Sequence, residues 1–170
     1  TRPITDMIKE ALFNVVGSNI VAASLLDLFA GSGSVGIEAL SRGANEVVFI
    51  DSSHKSVQII RENLNNCGFT DKFELYRNDV FRALEIMGKR QMTFDYIYAD
   101  PPFTVERIFH PLLEALDRSS LLAPGGILIM RSPRRKILPV KFTRLEEYRV
   151  DNYGESTLHY YHYFEVVKEP

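Results

Sequence analysis

Three stretches of this 170-residue chain bring together residue types that can do chemistry: "DLFAGSGSVG" (27–36), the acid Asp51, and "DPPF" (100–103). In the first, Gly31 and Gly33 let the backbone turn tightly and approach a ligand closely. Asp51 lies 20 residues beyond Gly31, where a carboxylate can accept hydrogen bonds from both hydroxyls of a ribose. Taken alone, such a glycine turn is also compatible with a plain tight connection; its pairing with Asp51 is the more specific signal. In the third stretch, Pro101 and Pro102 lack backbone N–H groups and cannot extend a central strand. A rigid surface turn is the bland alternative for "DPPF" in isolation.

The glycine run "GSGSVG" satisfies the dinucleotide pattern literally, and a diphosphate would then sit at the start of the next helix. Asp27, four residues before Gly31, argues otherwise, because a carboxylate there suits a cationic amino-acid group. S-adenosylmethionine carries an ammonium and a sulfonium and no phosphate. Asn78 and Asp79 end the third strand and are placed to receive an adenine amino group, or simply to cap the helix that follows. Together Asp27, Gly31, Gly33, Asp51 and Asp79 favour S-adenosylmethionine over a nicotinamide cofactor.

"DPPF" then acquires a role. Ligands of an open α/β sheet collect beyond the carboxyl ends of its strands, where Asp100 stands. The exocyclic amine of a nucleobase is a poor nucleophile, its lone pair being delocalised into the ring. The Asp100 carboxylate and Pro101 carbonyl can each accept one N–H bond, turning the lone pair toward a methyl donor. They can also stabilise the positive charge that develops on nitrogen. Pro102 stiffens the loop, and Phe103 offers a face on which a base can stack.

The rest of the chain must position these groups. "SLLDLFA" (24–30), "EVVFI" (46–50), "KFELY" (72–76), "FDYIYA" (94–99) and "PGGILIM" (124–130) read as strands or turn-plus-strand. Helical patterns fall between them, over 55–67, 80–87 and 105–119 among others. This β-α alternation predicts a doubly wound, Rossmann-like α/β sheet, mostly parallel. "RLEEYRV" and "TLHYYHYFEVV", joined by "DNYGES", predict an antiparallel pair appended at the end. "TDMIKEALFNVV" predicts a leading helix capped by Thr5 or Asp6. No internal repeat or linker divides the chain, so residues 1–170 are expected to form one domain.

Totals narrow the class. Twenty basic against 22 acidic residues give a net charge of −2 and a pI near 6.1, short of the usual footprint of a nucleic-acid binder. An RNA partner would need a local basic patch. Cys67 is the single cysteine, which excludes internal disulfides and cysteine zinc clusters; a reducing cytoplasm is the natural setting. No apolar run is long enough for a membrane span.

The sequence resembles the class I S-adenosylmethionine-dependent methyltransferases that act on amino groups, whose acid-Pro-Pro-aromatic motif matches Asp100 to Phe103. More narrowly it is similar to the RsmD family of bacterial 16S rRNA guanine-N2 methyltransferases. "TRPITDMIKEALFNVV", "DLFAGSGSVGIEALSRGA", "DPPF" and "YGESTLHYY" carry that likeness over nearly the whole chain. It implies a seven-stranded sheet and methylation at N2 of a guanine flipped out of helical rRNA, within a small-subunit particle. It also implies a cofactor set of Asp27, Phe29, Gly31, Gly33, Asp51, Ser52, Asn78 and Asp79, with Thr5 and Phe13 flanking the pocket. The family carries a short basic segment ahead of "TRP", whereas this sequence starts at Thr1, in keeping with its low pI. A monomer without metal is expected.

Arg131, Arg134 and Arg135 in "RSPRRK" are candidates for RNA phosphates, the alternative being a solvated basic loop; Arg2 could assist, and Tyr153 could line the base pocket. His54, His110, His159 and His162 lack metal-ligand spacing, and the last two read as strand packing. Rival functions are methylation of another amino group such as adenine N6, a NAD-dependent oxidoreductase, and a non-catalytic RNA-binding module.

Overall fold

Several strands of this chain are apolar at successive positions, which only a sheet covered by helices on both sides can bury. A computed structural model describes residues 3–164; Arg2 lies outside them. The chain runs α1 (Asp6–Val16), β1 (Ser24–Leu28), α2 (Ser34–Ser41), β2 (Glu46–Asp51), α3 (His54–Asn66), β3 (Phe73–Arg77), α4 (Val80–Lys89) and β4 (Phe94–Ala99). It continues through α5 (Phe109–Arg118), β5 (Leu122–Pro133), β6 (Leu145–Tyr153) and β7 (Ser156–Tyr163). The strands form one sheet in the order β3-β2-β1-β4-β5-β7-β6. β1 to β5 are parallel neighbours where they touch, and β7 inserts antiparallel between β5 and β6. The doubly wound sheet with a closing antiparallel pair is therefore what forms.

Side-chain alternation divides the core into two layers. Leu26, Leu28, Val48, Ile50, Ile97 and Ala99 pack with α4 and α5. Leu25, Val47, Phe49, Tyr96 and Tyr98 pack with α1, α2 and α3. Burying a ring such as Phe49 contributes about 1.5–3 kcal/mol, and α2 comes close enough to it to require glycine. A Cβ on Gly36 would stand 2.3 Å from the Phe49 ring.

Several boundaries differ from the sequence reading: β6, expected over 144–150, runs on to Tyr153, and the part of the last expected run beyond residue 164 lies outside the described residues. The helix expected from residue 105 starts at Phe109, after a 3-10 turn over Glu106–Ile108. The fifth strand, expected to end at Met130, continues to Pro133, because β7 pairs Arg131 with Leu158, Ser132 with Thr157 and Pro133 with Ser156. That extension decides the fate of Arg131. Among the described residues, no helix is long and apolar enough to cross a membrane.

Candidate active site

Sheet order reverses between β1 and β4, so their carboxyl ends open a crevice. In register, Asp27 on β1 lies beside Phe49 on β2 and Tyr98 on β4. By strand alternation Asp27, Asp51 and Tyr98 project from the same face, and Asp100 follows Tyr98 with the same parity. Asp27, Asp51 and Asp100 thus meet in one cavity of about 440 Å³, with Gly31, Ser52 and Phe29 also in its wall. Among the described residues, none in its lining is lysine or arginine.

Each acid is held differently. Asp51 Oδ2 accepts the Gly31 amide at 2.9 Å, and Oδ1 accepts the Ser53 amide at 2.9 Å. Each oxygen keeps a further lone pair for a ligand hydroxyl. Asp27 is 1% exposed and accepts the Gly36 amide at 3.1 Å. Burial pushes its carboxyl well above the usual carboxylate range, the Gly36 amide opposes, and the charges of Asp100 and Asp51 push it further. A cation entering the cavity would relieve that repulsion; a diphosphate would add to it. The turn between them is conformationally demanding: Phe29, Gly31 and Gly33 all have positive φ (57°, 60° and 79°). Gly33 caps α2 in the left-handed region without a side-chain hydrogen bond.

Asp100 stands at the other wall. Arg131 Nη1 donates to Oδ1 at 3.1 Å and to Oδ2 at 2.9 Å, and the Tyr98 hydroxyl donates to Oδ2 at 3.1 Å. Burial raises the Asp100 pKa, while the charge and hydrogen bonds of Arg131 and the Tyr98 hydrogen bond pull it down. Burial holds the Tyr98 hydroxyl protonated, with its pKa well above normal. Among the described residues the Pro101 carbonyl accepts no hydrogen bond, whereas that of Pro102 accepts from Val105 at 3.2 Å. Beyond this wall a second, wider cleft of about 1130 Å³ is lined by Phe103, Arg131, Arg135 and Tyr153. Pro3 borders both spaces. The Arg131 guanidinium carbon lies 5.0 Å from the centroid of the Phe103 ring. Asp100 and Pro102 thus border the small acidic cavity and Phe103 the wide cleft, while Pro101 between them is buried and lines neither.

The family described as Conserved hypothetical protein 95 matches residues 1–162. This chain belongs to that family. YlbH of Bacillus subtilis, provisionally named an rRNA methyltransferase, is 38% identical over 154 residues, which are 91% of this chain and 83% of the relative. Ribosomal RNA small subunit methyltransferase D of Haemophilus influenzae is 31% identical over 150 residues, 86% of this chain and 76% of its own. A solved structure, a conserved hypothetical protein of Streptococcus pyogenes, superposes with TM-score 0.81 at 30% identity, covering 90% of this chain and 93% of that one. An RNA methyltransferase of Salinibacter ruber, solved with S-adenosyl-L-homocysteine, superposes with TM-score 0.69 at 17% identity over 99% of this chain and 98% of that one, which speaks for the fold alone. The sheet order and closing hairpin are those of class I methyltransferases.

Within this family member the remaining expected site residues fall in several places. Thr5 caps α1, accepting the Ile8 amide at 3.3 Å, and borders the wide cleft. Phe13 is no part of the cavity wall; it is 1% exposed in the core, with Arg42 over its ring at 4.9 Å. Asp79 caps α4, accepting the Arg82 amide at 3.1 Å, while the Asn78 amide donates to the Asp51 carbonyl at 3.0 Å. Neither lines the cavity. Arg131 is a correction: grouped with the phosphate candidates, it is a strand residue only 2% exposed, turned inward on Asp100. Arg134 and Arg135 remain at the surface, Arg134 donating to the Gly154 carbonyl and Arg135 lying 3.7 Å from Glu106.

Sequence reading missed one polar chain. Ser132 Oγ lies 2.9 Å from His159 Nε2, and His159 Nδ1 lies 2.8 Å from Glu147 Oε2. It resembles a hydrolytic triad, but Ser132 is wholly buried; what it does is tie β5, β7 and β6 together beside Arg131. No spacing in the sequence announces it, since its members meet only through strand register.

Proposed function

We propose that the protein transfers a methyl group from S-adenosylmethionine to the exocyclic N2 amine of a guanine in 16S rRNA, as part of a small-subunit particle. The observation that carries the reading is the acidic cavity: three carboxylates beside a glycine turn of positive φ, with no basic residue in its wall among the described residues. That set of groups fits a ligand with an ammonium, a sulfonium and a ribose, and it repels a dinucleotide's phosphates. When bound, S-adenosylmethionine supplies a methyl group made electrophilic by a positively charged sulfur.

The chain's own residues do the rest. Asp27 faces the cationic part of the cofactor, and Asp51 accepts the ribose hydroxyls. Asp100 and the Pro101 carbonyl hold the two amine hydrogens and stabilise the charge that grows on nitrogen. Phe103 stacks the base. Such positioning can contribute on the order of 7–11 kcal/mol through effective concentration. The rRNA class is supported by the names of the relatives, one of which designates the small-subunit rRNA as its own substrate.

The test is incorporation of labelled methyl into small-subunit particles, naked 16S rRNA and DNA, followed by mass-spectrometric location of the methyl. Methyl at guanine N2 of 16S rRNA is the expected outcome. Methyl only at adenine would replace the guanine assignment, and tight binding of NAD without S-adenosylhomocysteine would overturn the cofactor.

A further inference from the structure

We propose that Arg131 is the positioning residue of the amine acceptor. Its guanidinium fixes the Asp100 carboxylate on one side and lies against the Phe103 ring on the other. Among the described residues this leaves a single Asp100 lone pair, on Oδ1, to receive the substrate. The inference rests on the methyl-transfer reading for its purpose, but its geometry stands by itself.

A carboxylate offers about four lone-pair sites. Among the described residues, Oδ2 takes hydrogen bonds from Arg131 Nη1 and the Tyr98 hydroxyl, which fills it, while Oδ1 takes only the second contact from Nη1. One position remains, on the oxygen not bound by Tyr98. With the Pro101 carbonyl it makes two acceptors for the two hydrogens of one amine. The Arg131 side chain is 3% exposed and that of Asp100 is 13% exposed, so the pair is shielded from salt and from alternative partners. Cation–ring contact with Phe103 at 5.0 Å makes the same guanidinium the backing of the stacking surface. One side chain thus sets the distance between the place where the base lies and the place where its amine is held.

Its own placement comes from the sheet. Arg131 pairs with Leu158, and the buried Ser132–His159–Glu147 chain pins the neighbouring positions of β5, β7 and β6. Lysine could restore the charge but not the planar contact with both partners.

The experiment uses the full chain in wild-type, Arg131→Met, Arg131→Lys and Tyr98→Phe forms. Three measurements are made: turnover against pH on small-subunit particles, affinity for S-adenosylhomocysteine, and the carbon-13 carboxyl resonance of Asp100 against pH with no substrate. In Arg131→Met, turnover at neutral pH should fall on the order of 10²-fold and recover in part as pH rises. The Asp100 resonance should titrate at higher pH than in wild type, with S-adenosylhomocysteine affinity kept. Arg131→Lys should return the resonance toward wild type with turnover still reduced, and Tyr98→Phe should shift it less than Arg131→Met. An Asp100 resonance unmoved in both Arg131 variants, or wild-type turnover and pH profile in Arg131→Met, overturns the proposal. Should wild type methylate no nucleic acid while Arg131→Met still moves the Asp100 titration, the methyl-transfer reading falls and the placement of Arg131 holds. If Arg131→Met does not fold, the lysine and Tyr98→Phe forms decide by the same resonance.

Discussion

The tips of β1 and β2 and the tips of β4 and β5 face one another across a single crevice, yet they are built by different means. The first pair is local. Asp27, Gly31, Gly33 and Asp51 lie within 25 residues, and backbone amides hold their carboxylates. The second pair is long-range: Asp100 is fixed by Arg131, 31 positions away, and Arg131 by a strand added at the end of the chain. Backbone donors make a rigid, uncharged cradle, within which buried Asp27 keeps a raised pKa. Side-chain donors set a compensating charge against Asp100, although burial still holds its pKa above the ordinary value.

If that contrast is right, the two halves should fail in different ways. The largest effect is expected for Asp100→Ala, with turnover down about 10²–10³-fold and S-adenosylhomocysteine affinity nearly unchanged by calorimetry. A parallel loss of affinity would mean that the halves are not separable. Asp27→Asn should do the reverse, weakening S-adenosylhomocysteine roughly 10–100-fold while raising the melting temperature of the ligand-free protein. The sign follows from linkage. The folded-state pKa of Asp27 is raised, so the folded chain holds that proton more tightly than the unfolded one. Stability therefore drops as pH climbs from the ordinary carboxylate value through the raised one, and asparagine removes that loss. For the same reason wild-type affinity for the cationic ligand should strengthen as pH rises through that interval. A flat pH dependence would contradict the raised pKa of Asp27.

Phe103→Ala tests the wide cleft. Losing a stacked base costs about 1–3 kcal/mol, which should appear in KM for RNA and leave cofactor affinity intact. The smallest effect belongs to Arg135→Gln. This exposed residue already lies near Glu106, and its loss should reduce the salt dependence of RNA binding by about one unit of slope without touching kcat.

Local chemistry was also the legible part of the sequence. The glycine turn, Asp51 and "DPPF" could be placed from spacing because each is governed by where one strand stops. The doubly wound, mostly parallel sheet followed from the β-α alternation, and the closing hairpin from two β-rich runs with no helix between. What could not be read depends on pairing partners. The fifth strand looked finished at Met130 because the basic run after it suggests a loop; β7 carries the pairing on to Pro133 and turns Arg131 inward. Asp79 reads from sequence as either an adenine partner or a helix cap, and it does cap α4, while Phe13, expected beside the pocket from the resemblance, lies in the core. Ser132, His159 and Glu147 have no sequence signature, since strand register alone brings them together.

The inserted position of β7 has a consequence during synthesis. A ribosome releases residues 1–133 before the strand that pairs with Arg131 exists, so the glycine cradle is synthesised while the opposite wall still lacks its neighbour. The wall that carries Asp100 and Arg131 is therefore the last part of the site to be completed, when residues 156–158 pair with β5.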